Sequence, residues 1–249
     1  MVMVRPFRLI ALDLDGTLLT DEKTVSAATK LCLQEAVAQG VHVIFATGRG
    51  IQTAGAFWQE LGLQSPMVLL NGAEIWAGPG ALHRRTFLPK ETIRRLHEAA
   101  VSYGARFWGY SVESLTGTKD WSEEMFGRDW MKFGIKHEDP FTLSALKEQI
   151  LAWGALHVTS SAPVNLEISV EGITKESGVR EVCRLLGIRM EEVLAVGDSD
   201  NDLLLLTSAG LGVAMGNAEV HVQKAAGYIT ASNNEDGVAR AIERFVLSA

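Results

Sequence analysis

Asp13 and Asp15 stand two residues apart in RLIALDLDGTLL, residues 8–19, directly after a short apolar run and directly before Gly16. In extended backbone, residues two apart point to the same side, so the two carboxylates can converge before the glycine turns the chain away. At about 4 Å they would repel by about 4 kcal/mol at an effective dielectric of 20, and such a pair calls for a proton or a cation. A hard divalent ion such as magnesium suits all-oxygen ligands. Taken alone, D-x-D-G is as readily a turn former at a strand end, so the chemistry depends on partners elsewhere. Thr47, Gly48 and Arg49 close a second apolar run, Lys175 sits at a loop-to-helix junction, and GDSDND at 197–202 places Asp198, Asp200 and Asp202 after another run. Thr47 and the following amides could donate to phosphate oxygens at a helix N-terminus, where Thr47 could equally be a helix cap, and Gly48 allows close approach. Arg49, on a first helical turn, reads as a solvated side chain. An ammonium at the start of a helix, as at Lys175, opposes the macrodipole unless an anion faces it.

These residues need a frame that brings them to one place. Leu9–Leu12, Val41–Ala46 and Pro66–Leu70 read as buried strands; between them lie a helix that Ser26 or Thr24 can cap, carrying Ala28 to Gln39 and ended by Gly40, and a helix over about 51–61. That order predicts right-handed crossovers and a parallel sheet covered by helices, with ligands beyond the carboxyl ends of the strands. Asp13, Thr47 and Asn71 would then share one edge. From about Gly78 to Glu171 the pattern changes to helices over 89–103 and 142–153 among strands near 106–111, 131–136, 156–160 and 166–170, an antiparallel arrangement with helices on one face. The parallel pattern resumes with a helix over 176–186, strands at 193–196, 211–215 and 228–230, and helices near 203–206, 220–226 and 236–247.

DLDGTL at 13–18, ATGR at 46–49, Lys175 and GDSDND at 197–202 resemble, in order, the four motifs of the haloacid dehalogenase superfamily of phosphohydrolases. The insertion between the third strand and the lysine motif, and HVTSSAPVNLEISVEGITK at 157–175, resemble the Cof-like branch with a C2-type cap. The resemblance implies an α/β fold, a Rossmann-like parallel-sheet core formed by 1–79 and 172–249 with an inserted α+β cap domain at 80–171. It also implies that Asp13 is a nucleophile forming an aspartyl phosphate and Asp15 the general acid and base. Lys175 would tether the nucleophile and the phosphoryl group, while Thr47, Gly48 and Asn201 contact substrate. Mg2+ would be held by the Asp13 side chain, the Asp15 backbone carbonyl and Asp198, with Asp202 a ligand or an anchor behind it. The chain departs from the branch at Glu176, where glycine is commoner. The implied activity is hydrolysis of a small phosphorylated metabolite such as a sugar phosphate, with a sugar phosphomutase or a non-catalytic sugar-phosphate-binding regulator as rivals.

A formal net charge of −7 without a Lys/Arg cluster argues against nucleic acid as a partner and means that any anionic substrate needs local positive charge. No N-terminal apolar stretch approaches membrane-spanning length, and MVMVRPF lacks the apolar centre of a secretion signal. Cys32 and Cys183 fall inside separate predicted helices and read as buried free thiols in a reducing compartment, with the cytoplasm the expected location. GLGVAMG at 210–216 has the wrong glycine spacing for a dinucleotide loop, and Trp108, Trp121, Trp130 and Trp153 read as cap core or interface rather than as a ligand platform.

Overall fold

A computed structural model describes residues 7–248. The N-terminal stretch read for a secretion signal, apart from Phe7, lies outside the described residues. The chain opens with β1 (Leu9–Leu12), α1 (Ala27–Ala38), β2 (His42–Phe45), α2 (Ile51–Glu60) and β3 (Met67–Leu69). β1 is buried along its whole length, which explains its unbroken apolar run. Ser26 caps α1 by accepting from the Thr29 amide at 3.1 Å, and Gly40, at φ +84°, turns the chain beyond its end.

β3 departs from the expected parallel sheet. It lies parallel to the strand beside it but joins it through few bonds, the Ala46–Val68 bridge with the Thr47 amide on the Val68 carbonyl at 3.0 Å and the Phe45 amide on Met67 Sδ at 3.0 Å. Its other edge pairs antiparallel with β4 (Glu74–Gly78), which pairs in turn with β5 (Ala81–Arg85). The hairpin supplies the backbone partners that the parallel sheet does not, and the boundary expected at residue 80 falls at its tip.

The next segment contains α3 (Lys90–Ser102), β6 (Arg106–Ser111), β7 (Leu115–Gly117), β8 (Trp130–Lys136), α4 (Pro140–Leu151), β9 (Leu156–Thr159) and β10 (Asn165–Val170). α4 starts earlier than its apolar pattern suggests because Asp139 accepts from the Phe141 and Thr142 amides with a proline in the first turn. The strands form an antiparallel sheet in the order β7-β6-β8-β10-β9. Strand alternation gives this sheet two different faces. Phe107, Phe133, Ile135, Leu166 and Ile168 pack with Ile93, Leu96, Leu146 and Ile150 of the two helices in a core separate from that of the parallel sheet. Trp108, Tyr110, Lys132, Gly134 and Glu167 alternate with them and so belong to the opposite face.

The chain returns through α5 (Lys175–Leu186), β11 (Val193–Gly197), α6 (Leu203–Ser208), β12 (Leu211–Ala214), α7 (Val220–Ala225), β13 (Tyr228–Ile229) and α8 (Gly237–Ile242), which continues as a wider turn over Glu243–Leu247. The parallel sheet runs β13-β12-β11-β1-β2, with Leu12 beside both Val196 and Phe45. Cys32 and Cys183 are free and buried, and burial foremost raises each thiol to about 11. Among the described residues no helix is long and apolar enough to cross a membrane.

Candidate active site

Because β11, β1 and β2 are adjacent and parallel, their carboxyl ends deliver Asp198, Asp13 and Thr47 to one edge of the sheet. Lys175, at the first position of α5, lies between two of the acids. Its Nζ donates to Asp13 Oδ1 at 2.6 Å and to Asp202 Oδ1 at 2.7 Å, and its side chain is 0% exposed. Thr174 starts that helix by accepting from the Ser177 amide while Ser177 Oγ accepts from the Thr174 amide, so the lysine's place is set by a capping box. Asp202 Oδ2 accepts from the Asp198 and Ser199 amides, at 3.1 and 3.2 Å. Thr17 Oγ1 donates to Asp198 Oδ1 at 2.9 Å. Gly16 has φ +78°, and a Cβ there would fall 2.5 Å from Asp198 Oδ2, so the turn after the first two acids requires glycine for conformation and for space.

Asp13, Asp198 and Asp202 each offer a carboxylate oxygen within 4.8 Å of the others. One ammonium faces these three acids. Burial, and then the carboxylates of Asp202 and Asp198, raise the Asp13 carboxyl well above its usual range against the pull of Lys175. Burial and the Asp202 charge bring Asp198 up to about 7. The Lys175 ammonium is held above the ordinary lysine range, since its two carboxylates outweigh the desolvation it suffers. An all-oxygen set with excess negative charge fits a hard divalent cation.

The Asp15 side chain does not join this cluster, contrary to the convergence expected from spacing. It is clamped by Arg49, Nε to Oδ2 at 2.6 Å and Nη2 to Oδ1 at 2.7 Å, and by Lys23 Nζ at 2.8 Å. Burial alone would raise this carboxyl, but the bonds from Arg49 and Lys23 outweigh it and lower it to about 2. Arg49 is therefore an ion-pair partner of a site residue, where a solvated side chain was expected. Thr47 is not a helix cap. α2 begins after Gly50 with no side-chain cap, and Thr47 is 1% exposed with its Oγ1 accepting from the Arg49 amide at 3.2 Å.

Two residues absent from the sequence reading complete the site from the antiparallel sheet. Lys132 and Glu167, both buried, pair at 2.9 Å. Lys132 Nζ also donates to the Gly48 carbonyl at 2.6 Å, and Asn71 Nδ2 donates to Glu167 Oε2 at 2.7 Å, so the pair ties the two sheets together. Despite complete burial, the Glu167 carboxyl is held below its usual range, chiefly by Lys132. Their signal in the sequence is a charge set between two large apolar residues in each strand, Met131-Lys132-Phe133 in WMKFGIK and Leu166-Glu167-Ile168 in NLEISV. Leu70 and Asn71 both have positive φ, and Gly72 follows at φ +98°, where a Cβ would fall 2.3 Å from the Thr174 carbonyl. This turn brings Asn71 to Glu167 on one side and to Asn201, whose Nδ2 is 3.5 Å from Asn71 Oδ1, on the other. Removing one member of a buried ion pair leaves the other uncompensated, so Glu167→Ala should cost about 3–5 kcal/mol of stability. Urea unfolding checks this, and a loss below about 1 kcal/mol would mean that the pair is not sequestered.

A cavity of about 440 Å³ opens over the sheet edge, lined from one side by Asp13, Asp15, Thr47, Gly48, Ser199 and Asn201 and from the other by Trp108, Tyr110, Lys132 and Glu167. A larger one of about 550 Å³, near Lys30, Val37, His42 and Leu61, includes none of the residues above.

The family profile described as haloacid dehalogenase-like hydrolase matches residues 10–144 and 127–242. The chain belongs to the haloacid dehalogenase-like hydrolases. It is 38% identical over 240 residues, 96% of each chain, to the 5-amino-6-(5-phospho-D-ribitylamino)uracil phosphatase YcsE of Bacillus subtilis (strain 168). It is 32% identical over 266 residues, 95% of this chain and 97% of the other, to the phosphatase YitU of the same organism, which carries the same substrate in its name. The crystal structure of a haloacid dehalogenase-like hydrolase from Bacteroides thetaiotaomicron superposes with a TM-score of 0.80 at 30% identity, covering 96% of this chain and 99% of that one. The chain is thus a phosphoric monoester hydrolase of the haloacid dehalogenase type, an α/β enzyme with a parallel-sheet core and an inserted cap.

Proposed function

We propose that the protein is a magnesium-dependent phosphatase that hydrolyses a small phosphorylated metabolite, a sugar phosphate or similar monoester, through an aspartyl phosphate on Asp13. The observation that carries this reading is Lys175 wedged between Asp13 and Asp202, with Asp198 beside them, at one end of a parallel sheet. Asp13 Oδ attacks phosphorus in line, its bond to phosphorus forming as the ester P–O bond breaks, while Asp15, protonated from solvent as Arg49 lets it go, gives that proton to the departing oxygen. Asp15 then takes a proton from the water that attacks the phosphoenzyme, a role worth about 10² to 10⁴ in rate. Arg49 orients Asp15 and holds it ionised before substrate enters, so it must release that carboxylate before a proton can be carried there. Lys175 holds the nucleophile and the incoming phosphoryl oxygens, with Thr47, the Gly48 amide and Asn201 as further contacts. Asp13, the Asp15 carbonyl and Asp198 would hold Mg2+, which supplies charge neutralisation for the transferring phosphoryl group. Asp202, already engaged by Lys175 and two amides, serves as an anchor behind them.

In this reading the cap selects the substrate and excludes water. Its start moves from residue 80 to beyond Arg85, because β5 pairs with β4; its end stays near 171. The cytoplasm remains the proposed location, supported by the two free cysteines.

Phosphate release from a panel of phosphorylated metabolites, with magnesium and after exhaustive chelation, tests the reading; the ester named for the 38% identical relative is the first to assay. Asp198→Ala should raise the magnesium concentration needed for half-maximal rate by about tenfold or more, since loss of an acidic ligand weakens a hard-cation site. Undiminished release after chelation would overturn the metal assignment.

A further inference from the structure

The side of the cavity facing the Asp13 edge is formed by the sheet face turned away from α3 and α4, and it contains no unmatched charge. Lys132 is paired with Glu167 and the Gly48 carbonyl, and Arg49 holds Asp15 through two bonds. Among the described residues lining the cavity, every cation is already matched by a carboxylate. A second anionic group on the leaving part of the substrate would meet Glu167 and could be matched only by drawing Lys132 from Glu167 or by competing with the transferring phosphoryl group for Arg49, and burying such a group unpaired is costly.

Trp108 is the remaining large feature of that wall. Strand register places it opposite Gly134, and Gly134 opposite Glu167. A methyl group at 134 would fall within 2.1–2.6 Å of three indole atoms, so the indole occupies the space that a side chain there would fill. The ring is thus seated against backbone beside the Lys132–Glu167 pair, half-buried and lining the cavity. A tryptophan fixed in this way offers a preformed stacking surface with little rotamer freedom left to lose. The cavity volume is that of a site for a small organic ester.

Resting on the phosphatase reading above, we propose that the preferred leaving group is uncharged and carries a planar aromatic or heteroaromatic ring that stacks on Trp108, its polar edge toward Lys132 and Glu167. A bare sugar phosphate fills the catalytic end but leaves the indole unused, and a bisphosphate is disfavoured.

The test uses the full chain carrying Asp13→Asn, with magnesium, so that binding is read without turnover. Uridine 5′-phosphate and riboflavin 5′-phosphate are titrated calorimetrically against ribose 5-phosphate and ribose 1,5-bisphosphate, and kcat/KM for the same esters is measured on the wild-type protein. The expected result is that at least one ring ester binds about tenfold or more tighter than ribose 5-phosphate and that the bisphosphate binds no tighter than the monophosphate. Adding Trp108→Ala should weaken the ring ester about tenfold more than ribose 5-phosphate, with the loss in KM rather than kcat when the enzyme turns over. Trp108→Phe should keep most of the preference, which separates stacking from a folding defect. No preference for a ring, equal losses on both esters in Trp108→Ala, or tightest binding of the bisphosphate would each overturn the proposal. Absence of phosphate release from any ester by the wild-type protein would count against the phosphatase reading instead, while the binding series still decides the ring subsite.

Discussion

Asp13→Asn should reduce phosphate release by about 10⁴-fold or more while the protein stays folded. The amide keeps the shape of the side chain but cannot attack phosphorus, and a covalent route has no substitute nucleophile at that strand end. The substitution should not destabilise the metal-free protein. Burial and the carboxylates of Asp202 and Asp198 already disfavour charge at Asp13, so a neutral isostere relieves repulsion while Lys175 keeps Asp202 as its partner. The melting temperature in chelator should therefore equal or exceed that of the wild type, and the rise on adding magnesium should shrink because an anionic ligand has gone. Phosphate release at the wild-type rate by the purified variant would remove Asp13 from the chemistry.

Lys175→Met should combine a large loss of stability with a large loss of activity. The lysine has no exposed surface, and its removal leaves Asp13 and Asp202 buried against each other beside Asp198, at a cost of about 3–5 kcal/mol in the absence of metal. Part of that loss should return with magnesium, since a cation can replace the missing charge, but the rate should not, because the group that orients the nucleophile is absent. Urea denaturation with and without magnesium, paired with the phosphate assay, separates the two effects. Metal-free stability within about 1 kcal/mol of the wild type would mean that the acids find other partners.

The site was legible in the sequence where its residues follow the ends of buried strands. Asp13, Thr47 and Asp198 were readable because an apolar run that breaks into polar residues marks where a parallel strand emerges, and parallel strands emerge on one side. Lys175 was readable by position in a family pattern; composition alone would have left it a surface residue. Arg49 was misread because it was taken as part of the first helical turn, although the helix read from the sequence starts at Ile51 as α2 does; it lies in the loop before that helix, and its pairing with Asp15, 34 residues away in sequence, is a tertiary contact that helix periodicity does not show. Lys132 and Glu167 escaped notice for a different reason. Alternation identified their strands, but a polar residue on an antiparallel strand normally faces water, and only the tertiary arrangement turns that face onto the Asp13 edge of the parallel sheet. The β4–β5 hairpin was hidden because its second strand, ALHRR, has little apolar content, and its pairing is decided by the open edge of β3.

The pairing of Leu9 with Val193 has a consequence for how the enzyme is made. During synthesis β1 leaves the ribosome before the antiparallel segment, and its partner β11 follows only after the whole of that segment has been produced. That segment has its own apolar core and mostly local pairings, so it can condense while β1 still presents one open edge. Nascent chains that stop short of Lys175 hold Asp13 without Lys175, Asp198 or Asp202. The cluster therefore assembles late and nearly all at once, and the exposed edge of β1 in the meantime is where chaperones, or aggregation, would act.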